Sequence, residues 1–207
     1  IVEILNEDGS MARRPDLERF SREHGIRIGT IADLIAYRLE KERNVERIAC
    51  QQVQTAHGEF TLYCYDDHVN QTVHVALAKG DVASADAPLV RVHIQDTLGD
   101  ALGVQSRGLG WPIDSAIERI AREDAGVSVV LREQETSRDL MEMVEGLLQD
   151  NDDLQQRRAG DSVLRTYGIG AQILRDLGVK KMRVLSAPKQ MYGISGFDLE
   201  VAGYVEE

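Results

Sequence analysis

The segment that most constrains the fold is a short apolar run followed by a glycine-punctuated loop and a helical pattern. The apolar run is 89–92, glycines recur in the loop at Gly99 and Gly103, and the helical pattern begins soon after Pro112. A strand, a glycine loop and a helix in this order often form a ligand cradle, because glycines let backbone N–H groups approach a phosphate closely. Turn formation explains the same glycines, so the segment indicates an α/β fold and a candidate site without assigning a ligand.

Composition narrows the functional classes. A chain of 207 residues with 43% apolar residues is expected to form one domain, or one domain with an appendage. Its formal net charge of -11 disfavours long-range attraction to nucleic acid or anionic lipid. No apolar run approaches the roughly 18 residues of a membrane span, and no signal peptide is visible. The two cysteines, Cys50 and Cys64, form no Cys-x-x-Cys motif and fit a reducing cytosol, so we expect a cytoplasmic protein. A start at Ile1, inside an apolar run, indicates part of a longer protein.

Hydrophobic periodicity and turn residues predict the order of helices and strands. The early strands, together with the run at 89–92, suggest an antiparallel sheet. We predict strands at 1–5, 26–28, 45–54, 58–65, 72–79, 89–92, 126–131, 181–185 and 199–204, and helices at 15–24, 31–43, 114–124, 162–177 (broken near 168–170) and 191–195.

The candidate site segment resembles GTP cyclohydrolase II. Arg91-Val92-His93 and Gly99-Asp100 match that family, which carries Arg-Val-His-Ser-Glu-Cys, then Thr-Gly-Asp, then a Cys-x-Cys pair. The family's three cysteines hold a catalytic zinc, and by register Asp96, Arg107 and Leu109 stand at their positions here. The resemblance therefore implies a cyclohydrolase scaffold whose zinc site is lost. We expect no metal and no cofactor in this domain, and Mg²⁺ remains open for a full-length synthase or for a bound nucleotide.

The residues that match the family's phosphate-contacting positions are better preserved than those that match its zinc ligands. The segment 164–174 is the strongest match to the family, and in it Arg165 matches an arginine that takes part at the α-phosphate. The family's general base, two residues earlier, is replaced by Val163, so Arg165 is a catalytic match without turnover. Arg91 matches a triphosphate-contacting arginine, and Lys189 is kept in the last loop. The resemblance implies an anion pocket of Arg91, Arg165 and Lys189, while surface or ion-paired arginines on a retained scaffold remain the alternative.

A second candidate ligand segment follows the predicted strand 126–131. In α/β sheets ligands usually sit at the carboxyl ends of the strands, which here places 132–139 at a candidate site. The comparable segment of the cyclohydrolase family reads Arg-Gln-Glu-Gly-Arg, of which this chain keeps Gln134-Glu135. A solvated turn explains the same charged residues.

The opening of the chain resembles another enzyme. The segments 3–13 and 30–38 look like the C-terminal end of 3,4-dihydroxy-2-butanone-4-phosphate synthase, which many bacteria fuse ahead of GTP cyclohydrolase II. Glu3 matches an active-site glutamate of the synthase, whose acidic loop and metal-binding histidine lie far upstream of this tail. We therefore expect a synthase tail at 1–43, a cyclohydrolase-like domain at 44–207, and no synthase chemistry on this chain alone.

Taken together, these patterns predict an α/β fold: a GTP cyclohydrolase II-like mixed β-sheet domain with flanking helices, preceded by the tail of a synthase domain. Three functions stay open. The domain is non-catalytic and supports or regulates the fused synthase, or it still turns over GTP or another nucleotide through a different metal arrangement, or it binds a nucleotide as a sensor without turnover. The expected partners are a second copy in a homodimer, the fused synthase domain, and GTP or another phosphate ligand.

Overall fold

The computed structural model describes residues 2–30, 33–34, 37, 44–104, 111–133, 135–149, 161–187 and 197–206, with the backbone alone at 148–149 and 161–167. The strands are β1 (Val45–Thr55), β2 (Gly58–Asp67), β3 (Thr72–Lys79), β4 (Leu89–Ile94), β5 (Gly126–Leu131), β6 (Lys181–Leu185) and β7 (Glu200–Val205). The helices are α1 (Arg14–His24), α2 (Ile113–Ala121), α3 (Ser137–Gln149) and α4 (Asp161–Asp176), and a single π-helical turn spans Thr97–Ala101.

The strands form one seven-stranded sheet in the order β1-β2-β3-β5-β4-β6-β7. β1, β2, β3 and β5 pair antiparallel, whereas β4 pairs parallel with β5 and β6, and β6 pairs parallel with β7. The predicted mixed α/β fold is confirmed, but the expectation of an antiparallel sheet is wrong for β4. A helical crossover returns the chain in the same direction, and α2 makes such a crossover between β4 and β5.

Helices cover both faces of the central strands. On one face α4 contributes Ile169, Ile173 and Leu174 to the larger apolar cluster, together with Val90 and Val129 of the sheet. On the other face α2 packs Ala116 and Ile120 against Leu89 and Phe60. Burial on both faces explains why β4 and β5 are nearly continuous apolar runs.

The helix α4 is continuous, so the predicted break near 168–170 is wrong. Gly170 instead allows α4 to pack closely on β4, because a Cβ on Gly170 would lie 3.0 Å from Cγ1 of Val92. In the part of the chain that the structure describes, no helix is both long and apolar enough to cross a membrane.

Among the described residues of the tail ahead of β1, the helix α1 is the longest element. α1 begins where Asp16 accepts the backbone N–H of Arg13 at 3.0 Å, and it ends at Gly25, whose φ of 63° is left-handed. α1 contains no buried residue. The predicted strand at 1–5 is wrong, since Val2 is 90% exposed and Leu5 forms only an isolated bridge with Met11.

The other predicted elements of the tail differ as well. The segment 26–28 is a loop rather than a strand, and most of the predicted helix 31–43 lies outside the described residues. Many of the large apolar side chains of the tail face solvent: Val2, Leu5, Met11, Ile26, Ile28, Leu34 and Tyr37 are exposed.

Candidate functional site

A cavity of about 450 Å³ lies at the edge of the sheet where β4 and β5 end and β3 begins. The carboxyl ends of parallel strands are the usual location of ligands in such sheets. The segment after β5 that the sequence singles out supplies Arg132, Glu133 and Glu135 to its wall. The remaining lining comes from the end of β2, the turn into β3, the start of β3 and the loop after β4: Asp66, Gln71, Thr72, Val73, Gln95, Asp96 and Thr97.

The lining of this cavity is acidic. Among its described lining residues, four are carboxylates (Asp66, Asp96, Glu133 and Glu135) and Arg132 is the one cationic side chain. The carboxylates create a negative electrostatic potential, and the low-dielectric protein walls concentrate it within the cavity. The cavity therefore repels anions and attracts cations. Its charge is therefore the opposite of what a triphosphate requires.

A histidine and two aspartates meet beside this cavity. β4 carries His93 to its end, where the side chain is 4% exposed. The Nε2 atom of His93 lies 2.9 and 2.8 Å from the two carboxylate oxygens of Asp100 in the π-helical turn. Asp100 Oδ2 also accepts the backbone N–H of Asp96 at 3.0 Å. One donor atom from each of His93, Asp96 and Asp100 lies within 4.8 Å of the others, which is a spacing that a metal ion could use.

Asp96 caps the π-helical turn. Its Oδ1 accepts the backbone N–H of Gly99 at 2.6 Å, as an aspartate at a helix N-cap does. The carboxylate closes on the turn because Gly99 has no side chain, and a Cβ there would lie 3.1 Å from Asp96 Oδ2. The residue at the first thiolate position of the resemblance is thus engaged in backbone capping.

The donors at this site do not fit the family's zinc. Zinc in the resemblance is held by three thiolates, whereas Asp96 offers a carboxylate and the positions Arg107 and Leu109 lie outside the described residues. His93, Asp96 and Asp100 are each hydrogen-bonded within the protein. The absence of a metal in this domain stays a prediction. The sequence placed Asp96 at a thiolate position by register alone, and it did not show that a loop closure brings Asp100 and His93 beside it.

A second buried histidine lies on the other face of the sheet. His74 and Asp67 are 1% and 0% exposed, and His74 Nε2 lies 3.2 Å from Asp67 Oδ2. Asp67 also accepts the backbone N–H groups of Val69 and Asn70 at 2.9 and 3.0 Å and the Asn70 side-chain amide at 2.6 Å. Burial raises the pKa of Asp67, but the hydrogen bonds from Asn70, His74 and Val69 outweigh it, so the pKa is lowered from its ordinary value.

The ring of His74 joins two walls of the cavity. Its Nδ1 accepts the backbone N–H of Arg132 at 3.0 Å, which leaves the proton on Nε2 for Asp67. Arg132 follows β5, and Asp67 caps the turn between β2 and β3. The sequence predicted only that His74 lies in a strand at 72–79, so its burial and its partner were missed. An aspartate three residues before an asparagine, just ahead of a strand, is a turn signal that pointed to Asp67.

The predicted phosphate residues are only partly described. The guanidinium of Arg91 donates to the carbonyl of Leu185 at 3.0 Å and to that of Trp111 at 3.4 Å, on the face covered by α2. Arg165 lies in α4, which packs on the opposite face and is described there by its backbone alone. Lys189 lies outside the described residues, and the synthase match Glu3 is in the exposed tail. Convergence of Arg91, Arg165 and Lys189 in one pocket stays a prediction.

Two family models match this chain. The model for GTP cyclohydrolase II matches residues 46–206, and the model for 3,4-dihydroxy-2-butanone 4-phosphate synthase matches residues 1–37. Both resemblances seen in the sequence are therefore confirmed.

Individual relatives are named for the synthase or for riboflavin biosynthesis. A protein of Pseudomonas syringae pv. tomato named 3,4-dihydroxy-2-butanone 4-phosphate synthase is 46% identical over 202 residues, which cover 97% of this chain and 54% of the relative. The riboflavin biosynthesis protein RibBA of Chlorobium phaeovibrioides is 37% identical over 207 residues, covering 97% of this chain and 50% of the relative. The chain spans about half the length of the curated relatives it matches.

A solved structure is similar over almost the whole chain. The crystal structure of RibBX, a two-domain 3,4-dihydroxy-2-butanone 4-phosphate synthase from A. baumannii, superposes with a TM-score of 0.63 at 37% sequence identity. The match covers 99% of this chain and 53% of that chain.

Proposed function

This chain belongs to the GTP cyclohydrolase II family, and we propose that it is the C-terminal part of a cytoplasmic riboflavin-biosynthesis protein whose cyclohydrolase-like domain is non-catalytic. In this proposal residues 1–43 complete a 3,4-dihydroxy-2-butanone-4-phosphate synthase, and residues 44–207 support or regulate that synthase. The observation that carries the proposal is the donor set at the family's zinc position, where Asp96 caps a turn instead of presenting a thiolate.

The chemistry of the family explains why this exchange removes catalysis. Opening the imidazole ring of guanine with water calls for a metal that lowers the pKa of bound water from about 15.7 to roughly 7. The three thiolate positions hold Asp96, Arg107 and Leu109, of which a guanidinium repels a cation and a leucine offers no lone pair. The general-base position two residues before Arg165 holds Val163, which cannot accept a proton.

The charge of the cavity supports the same proposal. A GTP-hydrolysing site has to neutralise three phosphates, and bidentate arginine is the side chain best suited to that task. The cavity beside Asp96 instead presents four carboxylates and one arginine among its described lining residues. A triphosphate entering it would meet repulsion rather than neutralisation.

The names of relatives agree with a retained synthase. The proteins from Pseudomonas syringae and Pseudomonas aeruginosa, which are 46% and 47% identical to this chain, carry the synthase name alone. The RibBA proteins of Chlorobium phaeovibrioides and Bacillus cereus are each 37% identical. This chain is thus similar to proteins that are named for the synthase although they extend through a cyclohydrolase-like second half.

The tail offers a route by which the second domain acts on the first. Residues 1–37 match the synthase family, and their apolar side chains at Leu5, Met11, Ile26 and Ile28 are exposed. In the proposal these side chains pack within the synthase domain, so the cyclohydrolase-like domain is held against it through a shared segment. We expect the full protein to be a homodimer.

The test is a comparison of full-length protein with a version that ends after residue 43. We expect the full-length protein to convert ribulose 5-phosphate and to leave GTP intact, with and without added Zn²⁺ or Mg²⁺. We expect the shortened protein to lose synthase activity or melt at lower temperature. Release of a formamidopyrimidine product from GTP would instead establish an active cyclohydrolase. Calorimetric binding of GTP without turnover would establish the nucleotide sensor, in which Arg91, Arg165 and Lys189 take part.

A further inference from the structure

We propose that β1 is the surface through which two copies of this chain associate. In this arrangement the outer edge of β1 pairs antiparallel with the same edge of a second copy, so that the two seven-stranded sheets become continuous. The inference goes beyond the proposed function, which expects a homodimer without naming the surface. It does not depend on whether the domain turns over GTP.

β1 is exposed at its edge and on both of its faces. It lies at one end of the strand order, so no strand among the described residues pairs with the backbone N–H and C=O groups of its outer edge. Every residue of 46–52 is exposed, although the side chains of a strand alternate between the two faces of its sheet. Neither α2 nor α4 therefore buries this stretch, and Ile48 is 56% exposed.

The edge of β1 lacks the features that usually protect an edge strand. Such strands are commonly short, or they carry lysine, proline or other charges that prevent pairing with another chain. A β-bulge between Arg47 and Ala49 distorts the start of β1, but the regular part that follows, 49–55, contains no charged residue and no proline. The opposite edge is different, because β7 has six residues and begins with Glu200, which forms an ion pair with Lys181 at 3.1 Å.

The unprotected edge is already held in the conformation that pairing requires. β1 is in register with β2 from the pair of Val45 and Asp67 to the pair of Thr55 and Gly58. A side-chain hydrogen bond of 2.9 Å from Gln52 to Thr61 adds to this pairing. A second strand would therefore meet an ordered edge and would not have to order it on binding, which favours association.

Charge and symmetry favour a second copy of this chain as the partner. The chain carries a formal net charge of -11, so two copies repel each other over most approaches. The segment 49–55 is uncharged, so two such segments can lie side by side without like charges opposite each other. Pairing of identical edges is also isologous, so it closes with two copies and leaves neither edge free to recruit a third.

This geometry places a single residue opposite itself. Two antiparallel strands related by a twofold axis share one position at the axis, and full overlap of 49–55 puts Gln52 there. A residue one position away is displaced from its own copy by two residues along the strand, about 6.8 Å, and by about 4.8 Å across. The resulting separation of about 8 Å exceeds the roughly 7 Å between Cα atoms that a disulfide can bridge.

The first experiment is a cysteine scan of the full chain. Cys50 and Cys64 are replaced by alanine, and one cysteine is then placed at each position of 50–54 in turn. The control is Ala202→Cys, which lies exposed on the opposite edge strand. After mild oxidation we expect a disulfide-linked dimer at one position, which full overlap predicts to be Gln52→Cys. We expect its two neighbours and the control to show only the background of random collisions.

The second experiment exchanges charge at the axis. In Gln52→Lys and in Gln52→Glu, two like charges face each other across the pair of strands, so each protein should associate about fivefold more weakly than wild type. An equimolar mixture of the two variants places opposite charges there and should recover the association. Sedimentation equilibrium gives the dissociation constants. Association through the exposed tail would respond to none of these substitutions.

Three results overturn the inference. The first is a scan in which no position of 50–54 exceeds Ala202→Cys, which would mean that the edge stays free or is covered by another partner. The second is equal crosslinking at all five positions. The third is an unchanged dissociation constant in both charged variants. Release of a formamidopyrimidine product from GTP would defeat the proposed function and leave this inference standing, whereas a flat scan would do the reverse.

Discussion

Two histidine–aspartate pairs flank the edge of the sheet. They consist of the same chemical groups but have different structural roles. Asp67 and His74 are completely buried on the α4 face, and Asp67 accepts hydrogen bonds from four donors. His93 and Asp100 lie on the opposite face, where Asp100 is 10% exposed and sits in a turn beside the cavity. The surroundings of such a pair, rather than its residue types, determine whether it is an internal strut or part of a cavity wall.

The two pairs also differ in what they connect. His74 joins the turn after β2 to the start of the segment after β5, since its Nδ1 accepts the N–H of Arg132, 58 residues away. His93 and Asp100 are seven residues apart and close one local loop. Loss of the first pair should therefore weaken the whole sheet, and loss of the second should loosen the cavity wall. Substitutions in each pair measure this difference directly.

The largest expected effect is that of His74→Ala. The substitution removes one donor from the buried carboxylate of Asp67 and the acceptor of the Arg132 N–H, so both groups lose a partner. Loss of a hydrogen bond to a charged group costs about 1.5–3 kcal/mol and a buried donor left without an acceptor costs about 1–3 kcal/mol more, so we expect the free energy of unfolding to fall by about 3–5 kcal/mol. Urea denaturation of the full chain measures it. The control is His68→Ala, whose side chain is 52% exposed and whose loss should cost no more than about 0.5 kcal/mol. A loss below about 1 kcal/mol in His74→Ala would show that the pair is not a strut.

The pH dependence of the free energy of unfolding tests the same pair through the ionisation of Asp67. Its hydrogen bonds lower the pKa of Asp67 from 3.8 in spite of burial. The folded state then binds fewer protons than the unfolded state in the window below 3.8, and stability falls as the pH falls through the folded pKa. We expect wild type to be the more stable protein at pH 7 and the curves of wild type and Asp67→Asn to converge on acidification below about pH 4. If the free energies of unfolding of the two proteins run parallel from pH 7 to pH 2, the ionisation of Asp67 contributes nothing to the loss of stability in acid.

The framework of the sheet could be predicted from the sequence because burial leaves a pattern. The strands 126–131 and 181–185 were predicted with the bounds that the structure has, since 126–131 is a short apolar run and 181–185 places apolar residues between the turn signals at Gly178 and 186–188. The end of α1 was predicted at Gly25 for a similar local reason. The direction of β4 was not, because pairing depends on the crossover and not on the strand's own residues.

The details of the site were less accessible. The prediction of a lost zinc site came from the register of Asp96, and it could not reveal that Asp100 approaches His93, because a π-helical turn has no periodic signature. The apolar residues of 1–5 looked like a buried strand, yet Val2 is 90% exposed in the tail. An apolar sequence predicts that a residue is buried, but it does not say against which surface. In our proposal the apolar residues of the tail are buried against the synthase domain.

The smallest expected effect is that of Gly99→Ala, in which two opposing terms nearly cancel. Alanine restricts the unfolded chain, which stabilises by about 0.4–1 kcal/mol where the backbone is compatible, and Gly99 is not among the glycines with positive φ. Against this, its Cβ would lie 3.1 Å from Asp96 Oδ2, so the capping carboxylate has to shift by a few tenths of an ångström. We expect the free energy of unfolding to change by less than about 0.5 kcal/mol while amide exchange rises in the turn.

The matched variant is Gly170→Ala, whose Cβ would lie 3.0 Å from Val92 Cγ1 between α4 and β4. There the neighbour is a packed core side chain, and overpacking should cost about 1–3 kcal/mol. If Gly99→Ala costs as much as Gly170→Ala, the turn is as rigid as the core, and the contrast between a local closure at the cavity and a strut through the sheet fails.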